Sequence, residues 1–177
     1  MESWKRNFPL VWLNNFVTAV GMMAMLPLLP LYLRLLGARI GRGAEGSTAS
    51  HIDPEMLTIS QGSFVADMAS VGSATFHNGW MVRRPTLVGR RAFVGNAAVV
   101  PAGSTLGDES LIGVATVPPA SGVPHDTTWL GSPAMHLPVR QDSGDPPEAL
   151  TFTPSRRRVA ERLGIEFLRA TLPASAI

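Results

Sequence analysis

A step of six residues organises the middle of the chain. Val82, Val88, Val94, Val100, Leu106 and Ile112 each follow the last by six positions, and Ile59, Val65 and Val71 keep the same step earlier. The next residue is small or turn-forming in every case but Arg83: Ser60, Ala66, Gly72, Gly89, Gly95, Pro101, Gly107 and Gly113. Four places after each aliphatic stands Ser, Thr or Ala: Ser63, Ala69, Thr75, Thr86, Ala92, Ala98, Ser104, Ser110 and Thr116. A helix of period 3.6 does not return the same face every six residues, whereas short period-two strands joined by regular corners do. The pattern predicts a β-solenoid. If three hexads close one coil of eighteen residues, the section is a triangular prism. Val82 then stacks beneath Val100, Val88 beneath Leu106, and Val94 beneath Ile112. The aliphatics point to the axis, the Ser/Thr/Ala column fits the cramped inner corners, and the Gly or Pro column serves the bends.

The hydrophobic pattern changes on both sides of the repeat. No charged residue lies between Arg6 and Arg34, and residues 8–36 are rich in Leu, Met, Val and Phe, long enough to span a bilayer. Asn14, Asn15, Pro27 and Pro30 interrupt a simple span, so a helix from about Val11 to Leu26 with a Pro-rich exit is expected; an apolar arm packed on protein is the alternative. Lys5 and Arg6 precede this stretch and Arg34, Arg39 and Arg42 follow it, which weakly favours the repeat on the cytoplasmic side of a membrane. Ile40, Gly41 and Ala44 match a stray first hexad. The step from Val71 to Val82 is eleven rather than twelve, so Thr75–Met81 leaves the regular path, carrying Phe76, His77, Asn78, Gly79 and Trp80. After Thr116 the hexads stop at Pro118 and Pro119. Residues 141–154 read as a linker, and from Ser155, a plausible N-cap, Val159, Leu163 and Phe167 mark an amphipathic helix reaching toward residue 177. The expected organisation is an apolar membrane-associated segment at 1–36, the repeat domain at 37–140, the linker, and the helix. The apolar end after Thr171 suggests a boundary inside a longer protein or a truncated product.

Composition narrows the chemistry. The 177 residues contain no cysteine, which removes disulfides, thiolate metal sites and a cysteine nucleophile. Fifteen basic residues stand against 13 acidic ones, and all the basic residues except Lys5 are arginine. The net charge of +2 offers little support for nucleic-acid binding. Gly41, Gly43 and Gly46 satisfy the G-x-G-x-x-G spacing, but no strand-to-helix context surrounds them, so a dinucleotide site is not expected. His51, His77, His125 and His136 lack metal-site spacing, and no metal site is assigned. His77 is the chemically interesting one: an imidazole can take a proton from an amine or hydroxyl during acyl transfer. A solvated loop histidine is the equal alternative. Arg83, Arg84, Arg90 and Arg91 sit on consecutive hexads and have the fork geometry for a coenzyme phosphate; a solvated face or salt bridges is the bland reading.

The three agreeing columns make the chain resemble the hexapeptide-repeat proteins, which implies a left-handed parallel β-helix and an acyltransferase, often trimeric. Tyr32-Leu33-Arg34-Leu35-Leu36-Gly37-Ala38 before the repeat, Trp129-Leu130-Gly131-Ser132-Pro133-Ala134 after it, and the trailing Arg-rich helix narrow the likeness. Together they resemble the terminal region of nonribosomal-peptide-synthetase-like membrane proteins of the ε-poly-lysine synthetase type, over residues 30–172. That group carries several tandem β-helix modules downstream of adenylation and carrier domains, whereas this chain shows one module and neither domain. The resemblance implies amide formation between a carrier-bound aminoacyl thioester and an amine, with His77 as general base. It also implies an acyl-CoA or phosphopantetheine-linked donor, not attached covalently to this chain, near Arg83, Arg84, Arg90, Arg91, Gly131 and Ser132. A homotrimer, or a pseudo-trimer of tandem modules, at a membrane is expected. A stand-alone acetyl-CoA-dependent acetyltransferase and a noncatalytic scaffold are the alternatives.

Overall fold

A computed structural model of the chain describes residues 9, 12–14, 17, 29–47, 52–138 and 152–171. The chain divides into two units, Pro27–Ser143 and Met1–Leu26 with Gly144–Ile177. The first unit is the repeat. Fourteen short strands run through it among the described residues: β1 (Arg39–Ile40), β2 (Glu45–Gly46), β3 (Leu57–Ile59), β4 (Phe64–Val65), β5 (Ser70–Ser73), β6 (Thr75–His77), β7 (Trp80–Val82), β8 (Thr86–Val88), β9 (Phe93–Val94), β10 (Val99–Pro101), β11 (Thr105–Leu106), β12 (Leu111–Ile112), β13 (Thr128–Leu130) and β14 (Met135–Leu137).

Three sheets, parallel throughout except for the terminal strand β14, form the sides of a prism. The first has order β1-β3-β8-β11, the second β14-β13-β12-β9-β4-β2, and the third pairs β5 with β10. Along the first, Ile40, Ile59, Val88, Leu106 and Val123 are successive rungs, and along the second Gly46, Val65, Val94, Ile112 and Trp129. Five levels are therefore present along these two sides. Ile40 is indeed a first hexad, in register with Ile59. The expected pairs Val88 with Leu106 and Val94 with Ile112 also form, one coil of 18 residues apart.

Two expectations fail. Val100 stacks on Val71, not on Val82. Val82 lies outside the prism, 37% exposed and paired with Thr75. Ile59 and Val88 are 29 positions apart, so eleven residues are inserted into an 18-residue coil, and Val82 keeps the six-residue step without joining the column. Nor do the hexads end at Pro118. Pro118 is itself buried, and the chain makes two more sides, Val123 and Trp129, at steps of 17 from Leu106 and Ile112.

The axis is filled as the pattern requires. Val71, Val88, Val94, Val100, Leu106 and Ile112 are fully enclosed, and Ser63, Ala69, Thr86, Ala92, Ala98, Ser110 and Thr116 line the inner corners. The glycine column has a different reason from the one expected. A Cβ on Gly89 would lie 2.5 Å from the Gly107 carbonyl carbon, and one on Gly107 would lie 2.4 Å from the His125 nitrogen. Stacked coils approach too closely there for a side chain. Within the column only Gly72 has a positive φ, 71°; the other bends take it elsewhere, on Gly62, Arg91, Glu109 and Asp126 between the first and second sheets, and on Met68, Ala97 and Ala115 between the second and third.

Both ends of the prism are covered. Residues 29–35 are helical, and Leu29 and Leu33 are buried with Ala44 and Ile59 in the core of the first coil, with Ile40 half-buried against them. Arg34 folds back so that Nε and Nη2 donate to the Ile40 carbonyl at 3.1 and 2.7 Å. The free edge of β1 thus receives a donor within its own unit. At the other end β14 turns back antiparallel to β13, pairing Trp129 with His136.

In the second unit the C-terminal helix spans Arg156–Thr171. The Arg158 N–H reaches the Ser155 Oγ at 3.4 Å, consistent with the expected cap, and Arg157 pairs with Glu161 at 2.8 Å. Val159, Leu163 and Phe167 are exposed. No helix among the described residues is long and apolar enough to cross a membrane, and most of the expected helix at Val11–Leu26, like the linker through residue 151, lies outside the described residues.

Candidate functional site

The inserted residues form a two-stranded hairpin at the corner between the third and first sheets. β6 and β7 pair antiparallel as Thr75 with Val82, Phe76 with Met81 and His77 with Trp80. Asn78 and Gly79, with φ of 47° and 77°, make the turn. Positive φ at both central positions is what a two-residue type I′ hairpin needs, and Asn-Gly meets it with little strain. The alternation puts His77, Trp80, Thr75 and Val82 on one face and Phe76 and Met81 on the other. Every residue of the hairpin is exposed, Phe76 and Trp80 each at 76%. No hydrogen bond fixes the His77 ring among the described residues, so the imidazole is free to meet a reactant brought to it.

The return from the hairpin is anchored. Arg83 forms a bidentate ion pair with Asp53, and its Nη2 also lies 2.9 Å from Glu55 Oε2. Asp53 is largely buried, and the Arg83 hydrogen bonds hold its carboxyl below the usual carboxylate range, outweighing the opposing effect of burial. The same bonds raise the already high pKa of the guanidinium. Next along the chain, Arg84 lays its aliphatic stem over Gly103. A Cβ there would come within 3.0 Å of the Arg84 Cδ, and Gly103 donates its N–H to Thr86 Oγ at 3.0 Å.

The six residues assigned to a donor do not converge on one spot. Arg83 and Arg84 stand where the hairpin rejoins the prism, and Arg90 and Arg91 stand at the opposite end of β8. Arg90 is tied to Asp108, with its N–H on Oδ1 at 2.7 Å and Nε on Oδ2 at 2.9 Å. These contacts, the backbone one foremost, hold the Asp108 carboxyl below its ordinary value. Arg91 is the positive-φ residue of its corner. Gly131 and Ser132 lie in the turn joining β13 to β14, on the terminal edge of the second sheet; the Gly131 N–H donates to the buried Thr116 Oγ at 2.9 Å. Thus Arg83 and Arg90 act in ion pairs, while Arg84 has no ionic partner among the described residues.

Sequence reasoning located the excursion but not its form, although Asn78-Gly79 between two short apolar runs was a hairpin signal. It missed Asp53 and Glu55, which have no motif and are recognisable only once coils are stacked. What the site offers is an exposed imidazole on a projecting arm, aromatic surface beside it, and one uncommitted guanidinium at its root. Those are parts for binding and proton transfer.

No protein-family model matches the chain. Among characterised proteins it is similar to the delta-poly-L-ornithine synthetase of Acinetobacter baumannii, with 44% identity over 147 residues. That alignment covers 82% of this chain and 11% of the synthetase, so the chain spans a small part of that relative. Solved structures of similar shape include soybean serine acetyltransferase (22% identity, TM-score 0.46, covering 57% of this chain and 40% of that one). The serine acetyltransferase of Neisseria gonorrhoeae has 21% identity and a TM-score of 0.49, over 60% and 41%. A hexapeptide-repeat-containing acetyltransferase of Vibrio cholerae has 17% identity and a TM-score of 0.49, over 68% and 91%. Likenesses this distant assign no chemistry.

Proposed function

We propose that the chain is an acyltransferase module that joins an aminoacyl thioester to an amine as part of a larger membrane-associated synthetase. The observation that carries this reading is the 44% identity, over most of the chain, to a segment of a protein named for making poly-ornithine. The prism is taken as left-handed on the hexapeptide-repeat resemblance. In the proposed reaction the amine nitrogen attacks the thioester carbonyl while His77 takes the amine proton. The C–N bond forms, the C–S bond breaks, and the imidazolium returns its proton to the departing thiolate. Amide and thiol are the products, and no redox partner is needed.

Arg84 is the candidate for a donor phosphate, whether of CoA or of a carrier's phosphopantetheine, because its charge is not already engaged and its stem is held by Gly103. The apolar arm around His77 favours assembly with further β-helix modules, as three copies or as tandem repeats, since a lone two-stranded hairpin is marginal in water. The test is to incubate the whole chain with an S-ornithyl pantetheine thioester and free ornithine and to weigh the products. The expected amide should form about 10²–10⁴-fold more slowly with His77→Gln, with the thermal transition of the prism unchanged. Equal rates would remove His77 from the mechanism. A folded chain that forms no amide would be a scaffold.

A further inference from the structure

The helix that caps the first coil is apolar on both sides. Leu29 and Leu33, one turn apart, are buried on the prism, at 9% and 5% exposure. Leu31 and Leu35, also one turn apart, lie on the opposite side of the same helix and are 53% and 79% exposed, with Tyr32 and Leu36 beside them at 55% and 43%. A helix that is hydrophobic nearly all round is normally a buried one, so the outward face calls for an apolar neighbour. The one charge on this helix is already in use, because the Arg34 guanidinium is turned back onto the Ile40 carbonyl. Upstream, the chain has no charged residue as far back as Arg6. Downstream, the first charges to follow are the exposed Arg39 and Arg42 of the first coil. An uncharged approach, an apolar helix face, a tyrosine and then arginines reproduce the order of hydrocarbon, interface and anionic headgroup.

We propose that the outward face of residues 29–36 lies in the interface of an anionic lipid bilayer. The prism then stands with its first coil against the membrane, and the β13–β14 closure sits about 20 Å further along its axis, at roughly 4.8 Å per coil. The proposal rests on the membrane association put forward above and adds the surface and the orientation.

The chain has no cysteine, so single probes can be placed at will. Leu35→Cys and Met135→Cys replace exposed side chains at the two ends, and Leu31→Cys provides a second report on the same helix face. Each whole chain, labelled with an environment-sensitive fluorophore, is reconstituted with phosphatidylcholine–phosphatidylglycerol vesicles, with and without lipids carrying a shallow spin quencher. The expected result is a blue-shifted label at Leu35 and Leu31, quenched at least twofold by the spin-labelled lipid, and an unquenched label at Met135. If the chain floats with vesicles but the Leu35 and Leu31 labels stay in water, the placement is overturned while membrane association stands. A blue shift without lipid quenching also overturns it, in favour of a second copy covering the face. A chain that does not float with vesicles overturns the membrane reading as a whole; amide formation, measured separately, is unaffected by that outcome.

Discussion

Replacing Gly107 by Ala tests the reason given for the glycine column. The added methyl would meet backbone, not a side chain able to swing away: His125 N at 2.4 Å, Pro124 C at 2.6 Å and His125 Cα at 2.8 Å. Relief requires the last coil to move off the one before it. That coil is held there by Gly107 N–H to Val123 O at 2.8 Å, Val123 N–H to Thr105 O at 2.9 Å and Asp126 N–H to Asp108 O at 2.9 Å. Overpacking of this kind costs about 1–3 kcal/mol, and each ladder bond that is stretched adds about 0.5–1.5 kcal/mol. A net loss of about 2–4 kcal/mol lowers the Tm of a chain this long by about 5–15 °C. Gly46→Ala is the control, because nothing among the described residues lies within 4 Å of its Cβ position, and it should stay within about 0.5 kcal/mol of the parent. Thermal and urea unfolding followed by far-ultraviolet circular dichroism read both. If Gly107→Ala melts with the parent, close coil contact is not why glycine stands there.

Two further outcomes follow from polar groups in and around the prism. Ser63 Oγ donates toward the Ser60 and Gly89 carbonyls at 2.9 and 2.6 Å, whereas Ser110 Oγ, at the equivalent inner corner, is buried without a partner among the described residues. In urea titrations Ser63→Ala should therefore lose about 1–3 kcal/mol while Ser110→Ala is neutral or stabilising; equal losses would contradict the assignment. The Asp53–Arg83 pair makes stability fall in acid. Because the folded-state pKa of Asp53 lies below its unfolded value of about 3.9, the stabilisation is complete above that pH and disappears as pH drops through the folded value. Asp53→Asn should be less stable than the parent at pH 7, with the gap closing as pH falls through the folded-state value of Asp53; a gap independent of pH would show that the ion pair is not its source.

The prism was legible because burial alternates with the period of the strand and each corner takes the same number of residues. Where those conditions lapse, the spacing misleads. Thr75 and Val82 fit their columns in number, yet they face each other across a hairpin and never enter the core. Val123 and Trp129 are core positions hidden by a coil one residue short. The arginines were the least legible part. A guanidinium is read as a ligand site or as half of an ion pair only when its neighbour is known, and Asp53 and Asp108 stand 30 and 18 positions from Arg83 and Arg90. Arg34, counted among the charges flanking a membrane segment, also satisfies a strand edge. The excursion that carries His77 was legible from the broken step, since an interruption in a rigid repeat has to leave it.

The central claim is that this chain catalyses acyl transfer and is more than a frame. Its most direct test is amine-dependent thiol release from an aminoacyl pantetheine thioester by the whole folded chain, read by a thiol-reactive dye as the amine is varied. Release should saturate with amine, match amide formed mole for mole, and fall with His77→Gln. Release equal to the protein-free rate at every amine concentration would contradict it.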